Sequence, residues 1–255
     1  VKASLSLFAL PGIPLVEPGN DVAQLLIGAI EANDVGLQQD DVVVIAQKIV
    51  SKAEGCYRRL CDVAVSERAA ALAVECDKDP HVMQLILDES VDVLRVRKGA
   101  IIVEHRNGYV HANAGIDRSN ITTDNGEERV LLLPPNPDAS AQHIRAALNE
   151  HFGVDCAVII NDSAGRAWRY GTCGFTIGSA GIDVINNMIG EPDLFGRKLE
   201  ITEVAIADEL AAAASFLMGQ ANEAAPAVVI RGARYRRSEQ GSKALIRPKH
   251  MDLFR

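Results

Sequence analysis

The sequence predicts a fold that mixes helices and strands, on three observations. Segments with apolar residues at helical spacing, such as residues 21–33 and 203–217, alternate with short apolar runs rich in β-branched side chains, such as 41–50 and 157–160. Between residues 91 and 115, alternating runs are separated by Lys98-Gly99 and Asn107-Gly108, which predicts a meander or a pair of hairpins. Proline and glycine turns punctuate these segments.

A first strand is expected over residues 5–10, ending in the turn Pro11-Gly12-Ile13-Pro14, where Gly12 leaves backbone N–H groups open to a ligand. The helix over 21–33 carries Val22, Leu25, Leu26, Ala29 and Ile30 at helical spacing, with Asp21 in or near its first turn. Residues 41–50 read as a central strand leading into Ser51-Lys52-Ala53-Glu54-Gly55. Lys48 and Lys52 at its end are either solvated or within reach of a phosphate. Helices are expected over 66–74, with Ser66 as cap, and over 81–88. A strand over 130–133 is stopped by Pro134 and Pro135, and a helix over 140–152 starts with Ser140 as cap. Residues 174–181 are rich in glycine but lack the spacing of a nucleotide-binding fingerprint. A strand is expected over 227–230, and the Arg- and Lys-rich tail beyond Ala233 reads as surface or a flexible terminus. With no internal repeat or low-complexity linker, residues 1–255 read as a single unit. Two structural subdomains fit within it, and the sequence places no boundary between them.

Hydrophobic residues make up 48% and charged residues 24% of the chain, an ordinary globular composition that argues against global disorder. The formal net charge of -8 argues against nucleic acid or an anionic membrane as a partner, while local basic pockets stay open to small anions. Cys56, Cys61, Cys76, Cys156 and Cys173 form neither a disulfide framework nor a zinc-type CxxC pair, so free thiols in a reducing compartment are expected. The short apolar run near residue 10 is broken by Pro11, Gly12 and Pro14, which argues against a signal peptide. No apolar stretch approaches the ~20 residues of a membrane helix. A cytoplasmic location is the expectation.

Residues 157–171, AVIINDSAGRAWRYG, carry the first chemical signal. A buried strand is expected to break into a polar turn holding Asp162 and Ser163, hard oxygen donors of the kind magnesium favours. Arg166 and Arg169 follow and could clamp phosphate or carboxylate through forked hydrogen bonds. The alternative is a structural turn in which Asp162 accepts local backbone hydrogen bonds. Residues 112–120, ANAGIDRSN, place a second lone carboxylate, Asp117, in a loop after an apolar strand. Two such loops can build one metal–phosphate site.

With these pieces goes a resemblance. LPGIPLVEPG, VVVIAQKIVSKAEG, ANAGIDRSN, LLLPPNPDASAQHIR, VIINDSAGRAWRYG, ADELAAAASFLMGQANEAAP and VVIRG lie in order over about nine-tenths of the chain. Together they resemble the coenzyme F420-0:γ-glutamyl ligase family. The resemblance implies an α+β fold of mixed sheets with packed helices, an unusual family-specific arrangement in which an intertwined two-domain subunit forms a homodimer. Longer relatives carry a fused flavin-reductase-like domain, for which this sequence is too short. It implies a GTP-dependent amide ligase that adds L-glutamate to the deazaflavin precursor coenzyme F420-0, and further glutamates in some members. Magnesium or manganese and a potassium ion are the implied cations.

Carried over residue by residue, the resemblance makes Asp117 and Asp162 ligands of one divalent ion and Ser163 and Gln220 ligands of a second. The nucleotide segments correspond to Leu10, Pro11, Gly12 and Ile13; to Gln47, Lys48, Lys52 and Asn120; and to Met218, Gly219, Gln220, Ala221, Asn222, Glu223, Ala224 and Ala225. Relatives commonly have threonine at 163, serine at 47, glutamate at 220 and phenylalanine at 164, where this chain has Ser163, Gln47, Gln220 and Ala164. Asp117, Asp162, Lys52 and Arg166 are the expected catalytic residues, with Arg169 and Arg231 as further clamps for the acidic acceptor or glutamate. No Ser-His-Asp or Cys-His arrangement stands out, and the six histidines read as surface or core residues. Two other classes use the same loops: a metal-dependent phosphotransferase or phosphohydrolase, and a nucleotide-binding module without turnover.

Overall fold

The structure, a computed structural model, describes residues 4–123 and 126–253. In chain order it contains β1 (Ser6–Ala9), α1 (Val22–Ala32), β2 (Val42–Ala46), α2 (Gln47–Ala53), β3 (Tyr57–Arg59), α3 (Glu67–Cys76), α4 (Pro80–Asp88), β4 (Ser90–Arg97), β5 (Ala100–His105) and β6 (Val110–Ala112). There follow β7 (Arg129–Leu131), α5 (Pro137–Phe152), β8 (Ala157–Arg166), β9 (Arg169–Ala180), β10 (Asn186–Asn187), β11 (Glu203–Val204), α6 (Ile206–Met218) and β12 (Ala227–Arg231).

The main sheet has five strands in the order β1-β12-β2-β8-β9. Only β2 and β8 pair in parallel. Its central strands are continuously apolar because both faces are covered. Val43, Ile45, Val158 and Ile160 pack on α1 and α5, while Val42, Val44, Ala157 and Ile159 pack on α6. A second core lies between β2 and α5 in the sequence. There α3 buries Ala69, Ala73 and Cys76, and α4 buries Val82, Met83 and Ile86, with Ile101 and Val103 of the β4-β5-β6 meander. The fold is α+β, as the resemblance implied, and the meander stands where the alternating runs placed it.

Three sequence-based expectations need correction. The strand over 41–50 ends at Ala46, and α2 begins at Gln47. Ile49 and Val50 reach the core from a helix, which puts Lys48 and Lys52 one turn apart on its outer side. Residues 161–163 are not a turn: β8 runs on to Arg166 and pairs Asn161, Asp162 and Ser163 with Thr176, Phe175 and Gly174 of β9. The glycine-rich stretch is that partner strand. A Cβ at Gly174 would lie 2.7 Å from the Ala211 carbonyl, and one at Gly178 2.5 Å from that of Pro137, so these glycines let α6 and α5 approach the sheet. Asn136, not Ser140, caps α5, accepting the Ala139 N–H.

The tail is also more than surface. Leu245 packs on the α6 side of the sheet and Ile246 on its α1–α5 side. Lys249 reaches Glu104 of β5 at 2.8 Å. A bulge in β9 releases the Ile177 carbonyl from the ladder, and the hydroxyls of Ser242 and Tyr109 both donate to it. The tail thus stitches the sheet to the meander. Among the described residues no helix is long and apolar enough to cross a membrane.

Candidate functional site

The sequence-predicted segments gather at one end of the main sheet, where β2 stops at Ala46 while β8 continues beyond it. Leu10 follows β1 and donates its N–H to Ala227 O at 2.9 Å, which carries the 10–13 turn to that end. The Ala46 N–H donates to the Pro226 carbonyl at 2.8 Å, so the 218–226 segment reaches the start of α2. Asn161 is the register partner of Ala46. A crevice beyond the carboxyl ends of parallel strands is where open α/β sheets bind ligands.

Asp117 arrives from the second core through an unusual turn. Asn113, Ala114 and Gly115 take φ of 54, 53 and 68°, three left-handed residues in succession. Non-glycine residues pay for that conformation and hold it only where packing demands it, as for Ala114, which is fully enclosed. The turn swings Asp117 onto Leu131, with which it exchanges backbone hydrogen bonds at 2.9 and 3.0 Å. Gln47 Nε2 donates to its Oδ2 at 2.7 Å and Lys48 Nζ stands 3.5 Å from its Oδ1. Gln47 is itself braced by the Ser51 hydroxyl at 2.8 Å. Lys48 also donates to Ser119, and Lys52 Nζ to the Asn120 carbonyl at 2.8 Å. Asn120 Nδ2 in turn donates to Ala221 O at 3.1 Å, joining this loop to the 218–225 segment.

Asp162 approaches from β8, and its carboxylate faces His111 Nε2 at 3.1 Å. The pair is largely enclosed, at 7% and 14% exposure, and Phe175 packs on the imidazole. His111 Nδ1 sits 3.0 Å from its own strand's Ala112 carbonyl. Both ring nitrogens therefore face acceptors, an arrangement that an imidazolium satisfies and neither neutral tautomer does. Burial opposes the charge, but the hydrogen bond and charge of Asp162 outweigh it and raise the pKa above 6.5. Asp117 is pushed up, first by burial and also by Asp162, although Lys48 pulls the other way. Lys52 is pushed down by burial and then by Lys48. The carboxylates thus feel each other, and Lys48 and His111 stand in as their counter-charges.

His111 gives a pH prediction with a definite sign. A group whose folded pKa is raised adds stability that is complete below the unfolded value of about 6.5 and disappears as pH rises through the folded value. In chelator, the melting temperature should decline across that window, and His111→Gln should flatten the decline. Equal slopes in the two proteins would remove the pair from this role.

A metal fits the donor set. No cluster of three or more His, Cys, Asp or Glu side chains that could hold a metal ion is assembled among the described residues. The protein's share would be Asp117 and Asp162 with neutral oxygens, the sparse all-oxygen set magnesium accepts alongside waters and substrate phosphates. Ser163 lies next to Asp162, its N–H donating to Asp162 Oδ1 at 2.8 Å. Gln220 gives its amide to Ser215 Oγ at 3.0 Å, which leaves its carbonyl oxygen as the available donor.

Not every expected residue joins the group. Arg166 and Arg169 form the tip of the β8–β9 hairpin, where Arg166 donates to Tyr170 O at 3.2 Å. Four residues of strand put that tip roughly 13 Å from Asp162. Arg231 is at the opposite end of the sheet, forked onto Asp41. His111, passed over in the sequence, is the residue that meets Asp162. The five cysteines are free thiols, with Cys56 and Cys156 pushed by burial up to about 11 and about 12, the wrong direction for nucleophiles.

Two carboxylates close enough to act on each other, one of them beside Lys48, are the kind of arrangement found where anionic substrates are handled. A family model described as F420-0:Gamma-glutamyl ligase matches residues 12–232. The chain is 46% identical over 253 residues to the coenzyme F420:L-glutamate ligase of Methanothermobacter thermautotrophicus, covering 98% of this chain and 99% of that protein. It is 44% identical over 219 residues to the protein of the same description from Methanocaldococcus jannaschii, covering 86% of each. A third, from Haloarcula marismortui, is 40% identical over 257 residues, covering 98% of this chain and 96% of that protein. This chain belongs to the F420-0:gamma-glutamyl ligase family.

Proposed function

We propose that this protein joins L-glutamate to coenzyme F420-0, using GTP to activate the acceptor carboxylate. The observation that carries the reading is that Asp162 on β8 lies close enough to act on Asp117, itself paired with Lys48, at the end of the sheet where β2 stops, in a chain of this family. A carboxylate is a poor acylating agent. Its oxygen would attack the γ-phosphorus of GTP, releasing GDP and leaving an acyl phosphate. The glutamate amine would then attack the acyl carbon, expelling phosphate and losing a proton. Every reactant before that attack is anionic, so the protein's task is positioning and charge neutralisation rather than covalent catalysis.

Asp117 and Asp162 would hold magnesium or manganese, which when bound offsets phosphate charge and aligns the transferring group. Ser163 and the Gln220 carbonyl would hold a second cation, magnesium, manganese or potassium. Gln47 fixes the Asp117 carboxylate, and Lys48 and Lys52 bring positive charge to the phosphates. The turn at residues 10–13 and the 218–225 segment would border the nucleotide. Incubation with GTP, manganese, L-glutamate and the deazaflavin acceptor should release GDP and phosphate only with glutamate, together with an added glutamyl mass. Release without glutamate would instead mark a phosphohydrolase, and binding without release a sensor.

Lys52→Ala should weaken GTP binding by about 1.5–3 kcal/mol, the worth of one charge-assisted hydrogen bond, and cost the free protein no more than about 1.5 kcal/mol. Unchanged affinity in a titration calorimeter would return Lys52 to a purely structural bond with Asn120.

A homodimer belongs to the same proposal. Trp168 and Tyr170 at the hairpin tip, and Leu194 and Phe195 on the excursion between β10 and β11, are almost wholly exposed. Large exposed apolar side chains that gather into a patch mark surfaces that bury themselves against a partner. A second copy would also give Arg166 and Arg169 a site to reach. A monomer mass by light scattering at micromolar concentration would exclude it.

A further inference from the structure

His111 is an imidazole where the fold calls for an apolar side chain. β6 pairs it with Val103 of β5, which is fully buried in the second core, and His111 itself is nearly enclosed. The ring lies against Phe175 with centroids 5.5 Å apart, and Phe175 is in turn the register partner of Asp162. A polar group so enclosed costs free energy unless it is hydrogen-bonded. The side chain that His111 meets is Asp162, whose Oδ2 is 3.1 Å from Nε2. An ionised carboxylate only accepts, so the proton of that bond belongs to Nε2.

The two acids of the candidate centre are held in the same way. Gln47, on α2, donates to Asp117 Oδ2 at 2.7 Å, and His111, on β6, reaches Asp162 Oδ2. Each donor comes from a different element than the acid it holds. The other bond to Asp162, from the Ser163 N–H, is local and moves with its own strand. A carboxylate oxygen has two lone pairs, so Oδ2 keeps one for a cation beyond the His111 bond. The same bond ties β6, which leads into the Asp117 loop, to β8, which carries Asp162.

We propose that His111 is a positioning residue: its Nε2–H fixes the rotation of the Asp162 carboxylate and, through β6, the placing of the Asp117 loop against it, so that both acids meet one cation without rearrangement. The proposal rests on the cation role given to Asp162 in the ligase reading, and not on which reaction follows. His111 acts through Asp162 and has no need to touch substrate. Outer hydrogen bonds of this kind, to the groups that hold a metal, are worth about 10–100-fold in metal affinity.

The test is manganese affinity by titration calorimetry, well below the melting transition and with no nucleotide or acceptor present. His111→Phe keeps the ring packing and loses the donor. His111→Asn stays polar but is too short to reach Oδ2, whereas His111→Gln extends an amide N–H to the place of Nε2. His111→Phe and His111→Asn should bind manganese about 10–100-fold more weakly than the parent, with His111→Gln close to the parent. A residue that only filled the core would lower the melting temperature in chelator and leave the dissociation constant of the folded protein where it was. Should the phenylalanine variant not fold, the asparagine and glutamine variants make the same comparison. Parental affinity in His111→Asn overturns the proposal, and so does an affinity in His111→Gln as weak as in His111→Asn. A parent that takes up no manganese ends it together with the metal centre. The expected affinities in a protein without glutamate-dependent turnover would sink the ligase and keep the positioning role; full parental turnover with equal affinities in every variant would do the reverse.

Discussion

Asp162→Asn is expected to lose glutamate-dependent turnover by on the order of a thousandfold, the scale of several kcal/mol of cation-mediated stabilisation of transferring phosphate. Manganese should raise the parent's melting temperature by mass action, as an ion that binds only the folded site, and the same variant should lose most of that rise. In chelator, Asp162→Asn relieves the repulsion that Asp117 feels from its neighbour but also gives up the charge-assisted bond from His111. These oppose, so stability without metal should change little. Asp117→Asn should show the same loss of metal response, and the double variant little more than either single change, because both act on one ion. Were both variants to keep the manganese response and melt lower in chelator, the aspartates would be structural and the proposed centre would fall.

Arg231→Ala should produce the largest loss of stability, about 3–5 kcal/mol. Asp41 is 1% exposed and its carboxylate accepts from Arg231 Nε at 3.0 Å and Nη2 at 2.7 Å. Removing the guanidinium leaves a buried charge whose remaining support is the Gln38 N–H. The Gly36 carbonyl, which accepts from Nη2 at 2.6 Å, is exposed and would turn to water instead. For a chain of this size such a loss lowers the melting temperature by roughly 10 °C. Nucleotide affinity should be unaffected, since the pair closes the far end of the sheet. Replacing both partners, Asp41→Asn with Arg231→Met, should recover much of the loss. A single variant that melts with the parent would refute the account.

Those two residues also mark where sequence reading succeeded and failed. Strong local signals were legible: the Asn-Gly and Lys-Gly turns of the meander, the apolar runs of β2, β8 and β12, and the Asp79-Pro80 start of α4. So were most of the site segments, through their resemblance to a known family. What misled was apolar density without length. VVVIAQKIV reads as one strand, yet Ile49 and Val50 face the core equally well from a helix, and only the sheet's edge at Ala46 decides between them. Polar residues misled in the opposite direction. Asn161, Asp162 and Ser163 resemble a turn because ladder residues at a ligand site are not apolar, and their pairing with the glycine-rich strand is a long-range fact. His111 was hidden for the same reason. Its importance comes from the register of β6 and the left-handed turn at 113–115, which bring it to a residue 51 positions away. Arg231 looked like a clamp because composition cannot say which end of a strand a residue caps.

The place of β12 in the sheet has a consequence for how the chain comes into being. This strand lies between β1 and β2, although some 180 residues separate it from the latter in the sequence. During synthesis β1 emerges first and finds no neighbour until residues 227–231 follow, so its open edge must wait. The meander core, whose contacts are local, can close long before. Folding on the ribosome should therefore proceed from the middle outward, with the end of the sheet near Ala46 assembling only after β12 slots in, and a nascent chain arrested before residue 227 should expose a protease-sensitive β1 beside an already resistant meander.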